Sequence, residues 1–374
     1  MTLPATSLET TPRESPRFDL PAPHLGVDLV TRLPAEEETK WGWACRAVDP
    51  QAAYLLPGDD SLPPVVGDVA LVEVTAVKNH TRIVTRDHQR LRIYEGDQLV
   101  GVFGNRYATD AFEAQVAAGD QLHLLTSAGM IGTVVSRNQK IQAPTQLRML
   151  GHLATRGGRR INLLNHRQQT ALSPNFTAQV VLAVGTGMNS GKTTTAAKLV
   201  KALVRRKVRV AACKLTGSVC HRDLSELQAA GAQDTRDFSD YGFPSTYLCQ
   251  QDDLVNLYQA MLADSQAIRP DVVVMEIADG VLQRETELLL SDPSVQRYVR
   301  GVVLAAPCSA SALFGAEQIR RHGLEVIAVS GIISNSPLFM REFSQQSDLP
   351  LASSVGDAAE LAQLVTRHCH LAAS

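Results

Sequence analysis

One segment of the chain reads Val181-Leu-Ala-Val-Gly-Thr-Gly-Met-Asn-Ser-Gly-Lys-Thr-Thr194. Its apolar start predicts a short buried strand, and the alanine- and lysine-rich run that follows predicts a helix. The glycine-rich turn between them ends in Gly191-Lys192-Thr193. Such a turn wraps backbone N–H groups around a polyphosphate at the positive end of a helix. The segment therefore predicts a nucleotide site, and we expect ATP as the nucleotide.

Individual positions of this loop have expected roles. Lys192 is expected to bridge the β- and γ-phosphates, and the Thr193 hydroxyl to contact Mg²⁺. The spacing departs from G-x-x-x-x-G-K-T, because Thr186 stands where the first glycine belongs. A glycine-rich turn that only lets strand and helix pack is the alternative. The residues expected to cradle the nucleotide are Gly185, Thr186, Gly187, Met188, Asn189, Ser190, Gly191, Lys192, Thr193 and Thr194.

Composition limits the partners of the chain. A formal net charge of −2 over 374 residues gives no general attraction to nucleic acid or anionic membranes. No apolar run is long enough to span a membrane. The six cysteines are scattered without a C-x-x-C pair, which suits a reducing compartment. We therefore expect a cytoplasmic protein without a membrane or nucleic-acid partner.

The pattern along the chain predicts two domains. Residues 1–40 are rich in proline, threonine and glutamate, and we expect them to be poorly ordered. Residues 41–140 contain short β-rich runs between Gly-Asp turns, which predicts a small barrel or sandwich. A connector with a short leucine-rich helix is expected over 141–177. From 178 to 374, apolar strands alternate with helices, which predicts a doubly wound α/β domain with a mostly parallel sheet.

Polar residues at the ends of neighbouring strands extend the predicted site. Lys214 closes a strand, where its ammonium either stabilises a migrating phosphoryl group or reaches solvent. Glu276 follows the four apolar residues that end strand 271–275, and we expect a metal or catalytic role, because a buried unpaired carboxylate is costly. Asp223 opens a helix, either as a dipole-complementing acid or as a Mg²⁺ ligand. Asn335 either reads an adenine edge or is a loop residue.

A loop in the β-rich domain also concentrates polar and aromatic groups. Asn105, Arg106, Tyr107 and Asp110 follow a predicted strand. They form either a binding loop or a turn that an Arg–Asp pair locks.

The order of these motifs resembles that of dethiobiotin synthetase and related P-loop ATPases over about residues 178–340. The resemblance implies a P-loop ATPase with two catalytic lysines, Lys192 and Lys214. It further implies magnesium ligands at Thr193, Asp223 and Glu276, and an adenine contact at Asn335. Leu215 stands in place of a proline, and the run from Glu276 to Gly280 departs from the E-G-A-G-G of that family. A different acceptor is therefore expected.

Two functional hypotheses follow from these residues. The first is a Mg-ATP-dependent enzyme that transfers a phosphoryl group to, or activates, an unidentified small-molecule carboxylate or amine. The alternative is a nucleotide-dependent switch or assembly ATPase, in which the N-terminal domain holds a protein partner or the chain forms a homodimer. No basic residue stands at 186–190, which counts against a switch that acts across a dimer. A nucleic-acid kinase is a third option that rests only on the basic cluster 156–160.

Overall fold

The computed structural model describes residues 30–34, 38–57, 63–117, 119, 121–166, 172–353 and 356–371. Most of the N-terminal segment 1–40, expected to be poorly ordered, lies outside these residues. The N-terminal part is built from strands β1 (Thr31–Arg32), β2 (Thr39–Trp41), β3 (Tyr54–Pro57), β4 (Val69–Ala76), β5 (Arg82–Val84), β6 (Arg90–Arg92), β7 (Gln98–Phe103), β8 (Arg106–Tyr107), β9 (Phe112–Gln115), β10 (Leu122–Leu124), β11 (Met130–Arg137) and β12 (Thr145–Ala154).

Five of these strands close into a barrel. β4 pairs with β7 and β12, β7 pairs with β11, and β10 pairs with both β11 and β12. Alternate residues of β4 face different cores: Ala70 and Val72 pack inside the barrel, and Val69 and Leu71 pack on its outer side. This alternation follows from the two-residue period of a strand. The prediction of a β-rich N-terminal domain is confirmed, and its form is a barrel.

Residues 145–154 are a correction to the sequence analysis. They lie in the segment expected to be a connector with a short helix, yet they form β12, which pairs with β3, β4 and β10. Leucine-rich runs suit a helix when judged alone. Here the open edges of β4 and β10 are satisfied only by another strand, so pairing with distant residues decides the structure.

The C-terminal part is an α/β domain around a parallel six-stranded sheet. Its strands are β13 (Gln179–Gly185), β14 (Val210–Lys214), β15 (Asp234–Asp237), β16 (Val272–Ile277), β17 (Val299–Ala305) and β18 (Val326–Ser330). Its helices are α1 (Lys192–Arg205), α2 (His221–Ala229), α3 (Gln251–Ser265), α4 (Arg284–Ser291), α5 (Pro293–Gln296), α6 (Ser309–Arg321), α7 (Pro337–Ser344) and α8 (Ala359–His368).

The strand order of this sheet is β15-β14-β16-β13-β17-β18, with every neighbouring pair parallel. Both faces carry buried apolar side chains, because helices cover the sheet on both sides. β13 lies between β16 and β17, so the loop that follows it emerges at the middle of the carboxyl edge. The predicted doubly wound α/β architecture is confirmed.

The two domains share one apolar core. Val102 and Met130 of the barrel belong to the same buried cluster as Tyr241 and Phe243 of the α/β domain. At its margin the Arg46 guanidinium stacks on Trp43 at 3.8 Å from the ring centroid and donates to the Ser239 hydroxyl at 2.9 Å. The barrel is thereby held against the edge of the sheet where the strands end. Within the described part of the chain, no helix is long and apolar enough to cross a membrane.

Candidate functional site

The phosphate loop, residues 185–194, has the strand–loop–helix form that the sequence predicts. β13 ends at Gly185, and α1 begins at Lys192. Asn189 and Gly191 have φ angles of +57° and +94°, in the left-handed region. At Gly191 a Cβ would lie 3.2 Å from the Gly331 Cα, so glycine meets both the backbone and the spatial requirement. The loop is therefore curled tightly over the start of the helix.

Lys192 spans this loop. Its Nζ donates to the Gly187 carbonyl at 2.8 Å and also to the Asp279 carbonyl. Gly185 leaves room for this path, because a Cβ there would lie 2.5 Å from the Lys192 Cγ and Cδ atoms. Burial lowers the pKa of the Lys192 ammonium, and the carboxylates of Glu276 and Asp279 oppose that change. A buried ammonium that donates to carbonyl oxygens can exchange them for an anion.

Thr193 and Glu276 form the second element of the site. The Thr193 hydroxyl donates to Glu276 Oε1 at 2.9 Å, while the buried Oε2 has no hydrogen-bond partner. Burial raises the pKa of the Glu276 carboxyl, and the nearby Lys214 ammonium counteracts this. A hydroxyl beside an unsatisfied carboxylate oxygen suits Mg²⁺, which takes few protein ligands and relies on phosphates and water for the rest. No cluster of three or more His, Cys, Asp or Glu side chains that suits a metal occurs among the described residues.

Lys214 lies between two carboxylates. Its Nζ forms an ion pair with Asp223 and lies 3.9 Å from Glu276 Oε1. Burial alone would lower the pKa of this ammonium, but Glu276 and Asp223 outweigh it and the pKa is raised. The structure thus brings Asp223 to the site, and it shows Asp223 bonded to a lysine.

Asn335 lies on the outer side of the loop. It lines an open groove of about 590 Å³ together with Lys192, Thr193, Gly331 and Ile332. That volume falls within the range of about 300–1,000 Å³ that is usual for ligand pockets. Asn335 is exposed, so its amide is accessible from the groove. The nucleotide-binding role predicted for Asn335 and for loop residues 185–194 stays a prediction.

The β-rich domain contributes directly to this site. The Asp110 carboxylate accepts a hydrogen bond from Asn189 Nδ2 at 2.7 Å, and the Thr109 N–H lies 3.1 Å from Met188 Sδ. The Tyr107 ring packs on Tyr247 with centroids 5.4 Å apart. No Arg–Asp ion pair locks the turn within these residues; Asp110 instead bonds the phosphate loop. The sequence singled out these residues but gave no sign of where they dock.

Comparison with known proteins gives similarities of fold only. No protein-family model and no curated protein matches the chain. Among solved structures, the signal recognition particle receptor FtsY from Elizabethkingia anophelis is 19% identical over 55% of this chain and 69% of its own, with a TM-score of 0.33. Signal recognition particle 54 kDa protein from Aeropyrum pernix K1 in complex with GDP is 16% identical over 55% of this chain and 50% of its own, with the same TM-score.

The FtsY of Mycoplasma mycoides is 12% identical and covers 56% of this chain and 73% of its own, with a TM-score of 0.33. The expected resemblance to dethiobiotin synthetase is corrected by this comparison, in which the three solved structures named are signal recognition particle proteins. The motif order was misleading for a physical reason. Any P-loop domain with a parallel sheet brings its loop and the polar residues at its strand ends to one edge, whatever its family. The specific expectation of ATP has no support here.

Proposed function

We propose that this protein is a magnesium-dependent P-loop nucleoside triphosphatase that works as a nucleotide-dependent switch, with the barrel as the responding element. The observation that carries the proposal is the hydrogen bond from Asn189 of the phosphate loop to Asp110, which lies between β8 and β9 of the barrel domain. A loop that rearranges around a triphosphate changes its own polar contacts. Here one of those contacts belongs to the other domain, so nucleotide binding and barrel position are linked.

The chemistry assigned to the site uses the residues described above. Lys192 exchanges its carbonyl acceptors for phosphate oxygens, which are the stronger partners of an ammonium. Thr193 and Glu276 would hold Mg²⁺, which when bound neutralises charge on the phosphate oxygens. Asp223 keeps Lys214 in place beside Glu276, where its ammonium stabilises negative charge on the terminal phosphoryl group.

A second contact links the phosphate loop to the segment that follows β16. Gly280 lies so close to the loop that a Cβ there would be 2.7 Å from the Gly187 Cα. Apolar side chains on adjoining segments are exposed, with Leu282 at 72% and Leu338 at 64%. Exposed apolar side chains next to a nucleotide loop provide a surface for a partner, whose access the loop can control.

The test measures binding, turnover and barrel movement separately. Calorimetry with non-hydrolysable GTP and ATP analogues, with and without Mg²⁺, identifies the base and the metal requirement. Hydrogen exchange then compares residues 105–116 with and without the analogue. We expect magnesium-dependent binding, slow hydrolysis, and a change in exchange over 105–116 that the Asp110→Ala variant loses. The matched control is Asp49→Ala, an exposed aspartate between β2 and β3 whose carboxylate accepts from the Gln51 N–H. Binding without any change in that segment contradicts the switch.

A second candidate function is phosphoryl transfer to a small molecule. The observation that favours it is that Lys214 and Asp223, which form an ion pair, both line a second cavity, of about 250 Å³, between the domains. Phosphorus NMR of reaction mixtures distinguishes the two. Both reactions give the nucleoside diphosphate, but hydrolysis adds orthophosphate, whereas transfer adds the resonance of a phosphorylated acceptor when an acceptor is present.

A further inference from the structure

Asp279 is held against the phosphate loop by its backbone. It lies two residues after the end of β16, and its N–H donates to Gln283 Oε1 at 2.7 Å. Its carbonyl accepts from Nζ of Lys192, the lysine expected to contact the terminal phosphates. The proposed switch gives Asp279 no role. Because the backbone of this residue is bonded on both sides, its carboxylate is confined to the neighbourhood of the terminal phosphoryl group.

Hydrogen bonding distinguishes the Asp279 carboxylate from the other acids of the site. Three neighbouring carboxylates each have a partner, which is Asn189 for Asp110, Lys214 for Asp223 and Thr193 for Glu276. In the part of the chain that the structure describes, no group donates a hydrogen bond to the Asp279 carboxylate, and no cation lies within 4 Å of it. The residue is only partly buried. A carboxylate of this kind takes its hydrogen bonds from water.

The second cavity between the domains gives water access to Asp279. Asp279, Lys214 and Met188 of the phosphate loop all line this cavity, whose volume is about 250 Å³. Cys220 and Asp223 line both the cavity and the nucleotide groove, so the two spaces adjoin. At about 30 Å³ for each water, the cavity has room for about eight waters. Water bonded to Asp279 is therefore next to the expected position of the terminal phosphoryl group.

The charges around Asp279 suit a proton acceptor. Burial raises the pKa of its carboxyl to about 6, and the charge of Glu276 adds to the rise. The ammonium groups of Lys192 and Lys214 and the guanidinium of Arg106 oppose it. At pH 7 the carboxylate is therefore mostly ionised, yet more basic than an ordinary aspartate with a pKa of about 3.9. A general base works best when its pKa lies near the operating pH.

We propose that Asp279 is the general base of nucleotide hydrolysis, an inference that rests on the proposed function. Its carboxylate orients one water and takes a proton from it while the water oxygen bonds to the terminal phosphorus. The bond from that phosphorus to the bridging oxygen breaks, its electron pair stays on the leaving nucleoside diphosphate, and orthophosphate forms. Lys192 and Lys214 stabilise the negative charge that develops. The proton passes from Asp279 to solvent water when the products leave.

The test measures orthophosphate release by wild type and Asp279→Asn in single turnovers of Mg²⁺-GTP and Mg²⁺-ATP. Asparagine keeps the shape of the side chain but cannot take the proton. We expect the rate constant of hydrolysis to fall at least about 100-fold, the lower end of the usual contribution of a general base. The non-hydrolysable analogues should bind at least as tightly as to wild type, because a negative charge beside the phosphates is removed. The control Asp271→Asn, at the opposite edge of the sheet and bonded to Arg209, should hydrolyse nucleotide as wild type does.

The pH dependence separates a base from a merely structural residue. At saturating nucleotide, the wild-type rate constant should rise about tenfold per pH unit below the pKa of the base and level off above it, whereas the residual rate of Asp279→Asn should lack this rise between pH 5 and 8. The wild-type profile also decides if circular dichroism shows that Asp279→Asn does not fold. An undiminished rate in the folded variant, a flat wild-type profile, or nucleotide binding without hydrolysis overturns this inference and leaves nucleotide binding by the loop intact. Absence of magnesium-dependent nucleotide binding in wild type instead overturns the proposed function, and this inference with it.

Discussion

Replacing Glu276 by glutamine separates the magnesium role of this residue from its structural role. The side chain is 1% exposed, its Oε1 accepts from Thr193, and its Oε2 is unpartnered. Glutamine keeps the volume and retains an oxygen for the threonine hydroxyl, but it removes the charge. A hydrogen bond to a charged group contributes about 1.5–3 kcal/mol. We therefore expect the affinity for Mg²⁺-nucleotide to fall roughly 10- to 140-fold in Glu276→Gln.

Two opposing effects act on the stability of the folded protein. Burial disfavours the Glu276 carboxylate, since it raises the pKa of this group, so removing the charge relieves part of its desolvation. The loss of one carboxylate beside Lys214 acts in the opposite direction. We expect the free energy of unfolding to change by less than about 2 kcal/mol, which is within the common range for single substitutions.

The assay is calorimetric titration of the nucleotide analogue in 5-fold steps of Mg²⁺, with a parallel titration in EDTA. A matched control is Glu285→Gln on α4. Glu285 is also a buried glutamate, and its Oε1 accepts from the Leu248 N–H at 2.9 Å. Glu285→Gln should bind Mg²⁺-nucleotide as the wild type does. The reasoning fails if Glu276→Gln keeps the full magnesium-dependent increase in affinity, or if it weakens binding equally in EDTA.

Three further outcomes are expected. Gly280→Ala places a Cβ against the backbone of the phosphate loop and should reduce nucleotide affinity at least tenfold. Gly157→Ala, where the nearest atom to the new Cβ is 4.0 Å away, should leave the affinity unchanged. Equal nucleotide affinities of the two variants in calorimetry would contradict this. Burial raises the pKa of Asp279 to about 6, so the folded state binds this proton more tightly than the unfolded chain. In urea titrations, wild type should therefore lose stability relative to Asp279→Asn as the pH rises from 4 to 6. A stability difference that stays constant over this range would count against the raised pKa. The Ser311 hydroxyl lowers the thiol pKa of Cys308, whereas burial raises that of Cys213. Iodoacetamide should therefore label Cys308 long before Cys213. Mass spectrometry of tryptic peptides measures the order of labelling, and the reverse order would contradict this.

Much of the α/β domain could be predicted from the sequence because its signals are local. An apolar run, a glycine-rich turn and an amphipathic helix follow one another within residues 179–205, and each has its own period. Lys214 and Glu276 were found for the same reason: each directly ends an apolar run. Since parallel strands end at one edge of the sheet, local strand ends are enough to predict that these side chains gather there.

The last strand of the barrel and the family of the α/β domain could not be predicted from the sequence in the same way. Residues 145–154 look helical when judged alone, and only the open edges of β4 and β10 make them a strand. The resemblance to dethiobiotin synthetase rested on motif order, which parallel P-loop folds have in common. The ion pair between Asp223 and Lys214 could not be predicted from the sequence either, because an acid in the first turn of a helix has several common roles.

By itself, the sequence determined the strand–loop–helix of the phosphate loop, the doubly wound sheet and the placement of Lys192, Thr193, Lys214 and Glu276 at its carboxyl edge. Only the tertiary structure decided that Asp110 bonds Asn189, and that Arg106 and His80 line one cavity with Lys214. The reason is separation along the chain. Local periodicity specifies the elements, whereas contacts between residues 79 or more positions apart depend on how two finished domains pack.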